Sequence, residues 1–175
     1  IAPICGDIFV SDGYRQSRIH RFSPDGELKL SWGSGEWKEF DFVMFGHDPT
    51  PGTGPGEFKL PHGIIADKND RIYVMDREND RIQVFDVNGA YQHEWSITRP
   101  CQSFIDGDDI IHSASLDGQI YVNRLDGELI CSWGSIGTES WQFTGPPHGL
   151  CIDSHGDMYV GQVMNPNGLN KFART

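Results

Sequence analysis

Lys59-Leu60-Pro61-His62-Gly63-Ile64-Ile65-Ala66-Asp67-Lys68-Asn69-Asp70-Arg71-Ile72-Tyr73-Val74-Met75-Asp76-Arg77-Glu78-Asn79-Asp80-Arg81-Ile82-Gln83-Val84-Phe85 decides how the rest of the chain is read. It holds three short apolar runs, Ile64 to Ala66, Ile72 to Met75 and Ile82 to Phe85, separated by a polar turn and a charged corner. Runs of this length, rich in Ile, Val, Tyr and Phe and bounded by Asp and Asn, predict antiparallel strands. One such unit cannot bury both of its faces, so copies of it must stack.

The copies are present. Pro147-His148-Gly149-Leu150-Cys151-Ile152-Asp153 repeats Pro61-His62-Gly63-Ile64-Ile65-Ala66-Asp67. Ile8-Phe9-Val10-Ser11-Asp12 matches Ile72-Tyr73-Val74-Met75-Asp76, and Pro100-Cys101 with Asp106 opens a further, degraded copy. Trp32, Trp95 and Trp133 close three units. The openings lie 39 residues apart (Pro61 to Pro100) and 47 apart (Pro100 to Pro147), the length of a four-stranded propeller blade. The predicted class is all-β, a β-propeller with about four blades in view, as a single domain over residues 1–175. The chain begins inside a blade at Cys5-Gly6-Asp7, so about two N-terminal blades of a six-bladed ring are expected to precede it, and the chain alone to carry open sheet edges.

Within each unit the first strand descends from its Pro-His opening and the second returns. That places Pro24-Asp25-Gly26, Asn88-Gly89 and Asp126-Gly127 in tight hairpin turns at one end. The other end receives the Pro-His-Gly openings, the corners Asp12-Gly13-Tyr14 and Asp76-Arg77-Glu78-Asn79, and the long connections, so function is expected there. The longest connection, Gly33 to Leu60, carries Trp37, Phe40, Phe42, Met44 and Phe45. It reads either as an insertion packing on the blade rim or as a wall against substrate, and Gly134 to Pro147 makes a similar crossing with Trp141 and Phe143.

Composition narrows the function. Fourteen Lys and Arg against 25 Asp and Glu give a net charge of −11, which argues against a nucleic-acid partner, because that affinity rests on neutralising phosphates. No apolar run reaches membrane-spanning length. Cys5, Cys101, Cys131 and Cys151 form no C-x-x-C pair and are expected to be reduced and mostly buried. Nothing in the sequence selects between an exported and a cytoplasmic location.

Of seven histidines, His20, His47, His93, His112 and His155 share no pattern. His62 and His148 occupy the same position of alternate units, at the opening of the innermost strand. With a histidine two blades earlier they would make a three-imidazole set, the ligand set of a catalytic zinc site. The other reading is a repeat opening in which His caps the channel by hydrogen bonds. Cys101, at the equivalent place between them, reads as a small lining residue rather than a ligand. Tyr14 and Arg77 end the second strands of successive units and could supply a base and a carboxylate clamp. Alternatively Tyr14 is a corner aromatic, and Arg77 an ion-pair partner of Glu78 or Asp76.

Asp12-Gly13-Tyr14, Ser17-Arg18-Ile19, Phe22-Ser23-Pro24, Trp32-Gly33, Pro55-Gly56-Glu57-Phe58, Pro61-His62 and Asp76-Arg77-Glu78-Asn79 with Arg81-Ile82-Gln83, in that order, resemble peptidyl-α-hydroxyglycine α-amidating lyase in its bacterial NHL-repeat form. The resemblance implies a six-bladed NHL propeller that uses zinc to cleave a peptidyl-α-hydroxyglycine into a peptide amide and glyoxylate. It implies that His62 and His148 are two of three zinc ligands, the third lying in the earlier blades. It makes Tyr14 the catalytic tyrosine and Arg77 a substrate-binding arginine. Gly149 stands where animal members have the Asp that serves a structural calcium, and Arg15 where they have a disulfide cysteine, so neither feature carries over. The implied partner is a peptide or small molecule bearing a carboxylate. A non-catalytic NHL scaffold that binds a protein or peptide on the same face is the alternative, and an RNA-binding NHL module is disfavoured by the charge.

Overall fold

The computed structural model of the chain describes residues 1–14, 16–33, 52–164 and 168–174. Arg15 and most of the Gly33 to Leu60 connection, including Trp37, Phe40, Phe42, Met44, Phe45 and His47, lie outside the described residues. The described residues form β1 Ile8–Asp12, β2 Arg18–Phe22, β3 Leu28–Gly33, β4 Pro61–Ala66, β5 Ile72–Asp76, β6 Arg81–Phe85, β7 Tyr91–Ser96, β8 Pro100–Ile105, β9 Ile110–Ser115, β10 Ile120–Arg124, β11 Leu129–Trp133, β12 Pro147–Ile152, β13 Met158–Gln162 and β14 Leu169–Phe172. One 3-10 turn, Arg77–Asn79, joins β5 to β6. Among these residues there is no α-helix, and none long and apolar enough to cross a membrane.

The strands make four antiparallel sheets of sequence neighbours: β1-β2-β3, β4-β5-β6-β7, β8-β9-β10-β11 and β12-β13-β14. The all-β class and the four units read from the repeats are therefore borne out, with both Pro-His openings heading first strands. The chain divides into two compact units, Ile1–Ser96 and Ile97–Thr175, each holding two sheets.

In the first unit, β5 and β6 are buried along their whole length because each is flanked by a strand on both sides. β7, at the sheet's outer edge, is exposed at Tyr91, Gln92, Glu94 and Ser96. The hairpin turn between β4 and β5 is folded by one side chain. Asp67 Oδ1 accepts the backbone N–H groups of Asn69 and Arg71, both at 2.9 Å, and Oδ2 accepts the Tyr73 hydroxyl at 3.1 Å. An Asp that caps its own turn replaces the hydrogen bonds the reversing backbone cannot make with itself. The second unit repeats the device: Asp153 holds the N–H of His155 and Asp157 and the Tyr159 hydroxyl. Asp106 does the same with Asp108, Ile110 and, in the tyrosine's place, His112 Nε2 at 2.8 Å.

Each unit also has its own core. Phe9, Ile19, Phe58, Ile72, Val74 and Phe85 are buried together in the first, with Trp32 packed against them. Phe58 comes from the long connection yet is fully buried, its ring 5.7 Å from that of Phe85. In the second unit Phe143 takes the corresponding place, 5.8 Å from Trp133 and 5.7 Å from Phe172. The described ends of both connections thus pack into their blades, whereas Trp141 is 57% exposed.

The expectation of mostly buried thiols is corrected. Only Cys101 is buried; Cys5, Cys131 and Cys151 are exposed. Cys5 precedes the first strand, Cys131 lies on the outermost strand of its sheet, and Cys151 points away from the core that its neighbour Leu150 enters.

Candidate functional site

In the first unit the corner after β1 meets the opening of β4. Gly13 lies so close to Pro61 that a Cβ on it would stand 2.5 Å from the Pro61 carbonyl oxygen. This contact carries Tyr14 to His62, whose rings meet edge to face with centroids 5.9 Å apart. Tyr14 is 53% exposed, so it does not serve as a buried corner aromatic.

Arg77 reaches the same place from the end of β5. Its Nη1 donates to the Tyr14 hydroxyl oxygen at 3.2 Å, and its guanidinium carbon lies 5.7 Å from the centre of the Tyr14 ring. Its Nε donates to Glu78 Oε1 at 2.8 Å. Burial alone would lower the pKa of this guanidinium, but the hydrogen bonds to Tyr14 and Glu78 outweigh it and hold the value above the ordinary one. Arg77 is therefore a fixed cation beside a phenol and an imidazole. The ion pair with Glu78 foreseen as an alternative is present together with the Tyr14 contact; Asp76 instead pairs with Arg81.

Asp76 and Arg81 hold the corner that bears Arg77. The fully buried Asp76 carboxylate accepts from the Lys59 N–H at 2.7 Å, Asn79 Nδ2 at 2.8 Å, Arg81 Nε at 2.8 Å and Gln83 Nε2 at 3.2 Å. Burial raises its pKa above the ordinary carboxylate value in spite of these donors. Arg81 spreads its remaining N–H groups over Glu94 and the carbonyls of Thr53, Gly54 and Glu57. The Arg77 and Glu78 N–H groups in turn donate to the carbonyls of Leu60 and Lys59. Residues 52–60 and the Arg77–Asn79 turn are thereby tied into one piece by backbone contacts.

His148 heads β12 in the second unit and is half-buried; Cys101 heads β8, is fully buried, and its Sγ lies 3.8 Å from the Arg99 carbonyl oxygen. Within the second unit Cys101 and His148 offer metal-ligating atoms within 4.8 Å of one another, and His62 heads β4 at the corresponding position of the first unit. Cys101, which reads from the sequence as a small lining residue, follows Pro100 as His148 follows Pro147, and its thiol lies beside that imidazole. Glu78 and Gly13 were not singled out for a role of their own, because no motif marks a residue that acts by holding its neighbour.

Residues 58–85 match the NHL repeat model. Peptidylglycine alpha-amidating monooxygenase of Rattus norvegicus is 40% identical over 86 residues, covering 49% of this chain and 8% of that protein. Peptidyl-alpha-hydroxyglycine alpha-amidating lyase 1 of Drosophila melanogaster is 26% identical over 95% of this chain and 33% of its own length. NHL repeat-containing protein 3 of Mus musculus is 32% identical over 90% of this chain and 44% of its own length. The chain thus spans less than half the length of each of these relatives. Among solved structures, a streptogramin B lyase aligns over 99% of this chain and 53% of its own, with a TM-score of 0.67 at 17% identity, a likeness of fold alone. Residues 58–85 thus carry an NHL repeat, and the four antiparallel sheets have the form of β-propeller blades.

Proposed function

We propose that the chain is part of a zinc-dependent lyase that cleaves a peptidyl-α-hydroxyglycine-type carbinolamide to an amide and glyoxylate. The observation that carries this reading is the meeting of Tyr14, Arg77 and His62, with the phenol oxygen 3.2 Å from the guanidinium and 5.9 Å between the two rings. The reaction needs a group that takes the proton of the α-hydroxyl, a cation for the substrate carboxylate, and a proton returned to the departing amide nitrogen. Tyr14, as phenolate, is assigned the first task. The hydroxyl electron pair then closes the aldehyde C=O of glyoxylate as the C–N bond breaks, and Tyr14 returns the proton to the nitrogen, which leaves as the neutral amide. Arg77 is assigned the carboxylate, since a guanidinium offers two parallel N–H donors to it. Its hydrogen bond to Tyr14 keeps clamp and base in one register.

His62 and His148 are assigned to the metal, and within the second unit the Cys101 thiol lies beside His148. Imidazole nitrogens and a thiolate are donors that zinc takes, so the donor set fits. When bound, zinc supplies positive charge that acidifies a hydroxyl next to it. The test is glyoxylate release from an α-hydroxyglycine-terminated peptide by the intact protein. Tyr14→Phe should keep the fold and the metal and lose release by ~10²-fold or more, as for a removed general base. Wild-type turnover in that variant would refute the base.

A second reading, a non-catalytic scaffold, draws on the similarity to NHL repeat-containing protein 3 over 90% of the chain. Wild-type protein with no bound zinc and no glyoxylate release would favour it.

A further inference from the structure

Arg77 does not meet a ligand as a bare guanidinium. Its side chain is 11% exposed, and its Nε is already taken by Glu78 Oε1 at 2.8 Å. Nη1 is turned toward the Tyr14 hydroxyl, and Nη2 makes no hydrogen bond to the described residues. A guanidinium can grip a carboxylate side-on, through Nε and one Nη, or end-on, across both Nη nitrogens. Glu78 closes the first mode. It also places a resident negative charge beside the cation; its side chain is 30% exposed. The turn that carries it is not free to swing, since the Arg77 and Glu78 N–H groups are bonded to the Leu60 and Lys59 carbonyls and Asn79 to Asp76.

We propose that Glu78 is a positioning and specificity-determining residue of this site. It holds Arg77 for end-on binding of a single carboxylate beside Tyr14, and it disfavours ligands that bring a second negative charge. The proposal deepens the reading that Arg77 binds the substrate carboxylate, and it rests on that reading. The ligand class is a monoanionic carboxylate whose neighbouring atoms are neutral, and a dicarboxylate is the disfavoured alternative. The physical ground is that one like charge a few ångströms away, in a partly solvated site, shifts an equilibrium by roughly tenfold.

The test is binding of glyoxylate and of malonate to the intact protein, followed by calorimetry or by the Tyr14 ring resonances, which do not require turnover. In the wild type, glyoxylate should bind more tightly than malonate, and Arg77→Ala should abolish both. Glu78→Gln keeps an oxygen for Arg77 Nε and removes the charge. Glyoxylate affinity should stay within about threefold, while malonate affinity rises roughly tenfold. Glu78→Ala removes the holding oxygen as well, so both affinities should fall and the Tyr14 resonances should shift in the ligand-free protein.

A merely structural role would damage Gln and Ala variants alike and leave the glyoxylate-to-malonate ratio unchanged, and that result overturns the proposal. So does a Glu78→Gln variant in which the ratio equals that of the wild type. If neither anion binds the wild type, the carboxylate reading of Arg77 falls and this proposal with it. If both bind in an Arg77-dependent way but no glyoxylate is released from the peptide, the lyase reading alone falls.

Discussion

Replacing Gly13 by alanine tests whether backbone contact, rather than the motif residues alone, sets the site. The added Cβ would stand 2.5 Å from the Pro61 carbonyl oxygen, 3.0 Å from its carbonyl carbon and 3.1 Å from its nitrogen. Ordinary contact begins at 3.4 Å, so the corner and the β4 opening must part by 0.9 Å at the closest point. All three atoms are backbone, so no side chain can turn aside to relieve the clash. Overpacking of this kind costs about 1–3 kcal/mol. The displaced segment carries Tyr14, and the residue it strikes precedes His62, so the 5.9 Å ring contact must open or tilt. A misplacement of about 1 Å at reacting groups can cost on the order of 10²-fold in rate. Denaturant unfolding gives the first quantity and glyoxylate release the second. Gly107→Ala is the control, since nothing lies within 4 Å of a Cβ there. If Gly13→Ala matched Gly107→Ala in both assays, the argument that close backbone approach positions Tyr14 would be refuted.

Arg81→Lys keeps the charge but cannot serve Asp76, Glu94 and the Thr53, Gly54 and Glu57 carbonyls together. It should lose about 2 kcal/mol, from roughly two orphaned acceptors, and hydrogen exchange or limited proteolysis should show residues 52–60 loosened. Asp7 is bonded by Lys29 Nζ at 2.8 Å and Arg21 Nε at 2.6 Å, and these partners, Lys29 foremost, hold its carboxyl below the usual range. An acid whose folded pKa is depressed stabilises fully above its unfolded value of about 3.9 and loses that contribution as pH falls through the folded one. Asp7→Asn should therefore lower the unfolding midpoint at pH 6 and matter little in strong acid; an equal effect at both would contradict the assignment.

The strand pattern, the turns and the repeat were legible in the sequence because they are local. Alternating apolar residues, an Asp that folds its own turn and a Pro-His opening recur at regular offsets, and each copy must satisfy the same backbone. That was enough to place His62, His148, Tyr14 and Arg77 at the same end of their strands. Partner choice was not legible. Asp76, Arg77, Glu78 and Arg81 lie within six positions of one another and offer several ion pairs of similar reach. Burial of Asp76 beneath residues 52–60 commits it to Arg81 and leaves Arg77 to Glu78 and Tyr14. Phe58 and Phe143 likewise sit in glycine-containing connections that read either as packing on the blade rim or as a wall against substrate. Only packing shows them filling the core, because the apolar volume they fill is built by strands distant in the chain. Local periodicity decides which strands form; which side chain meets which charge is decided by what the folded chain buries.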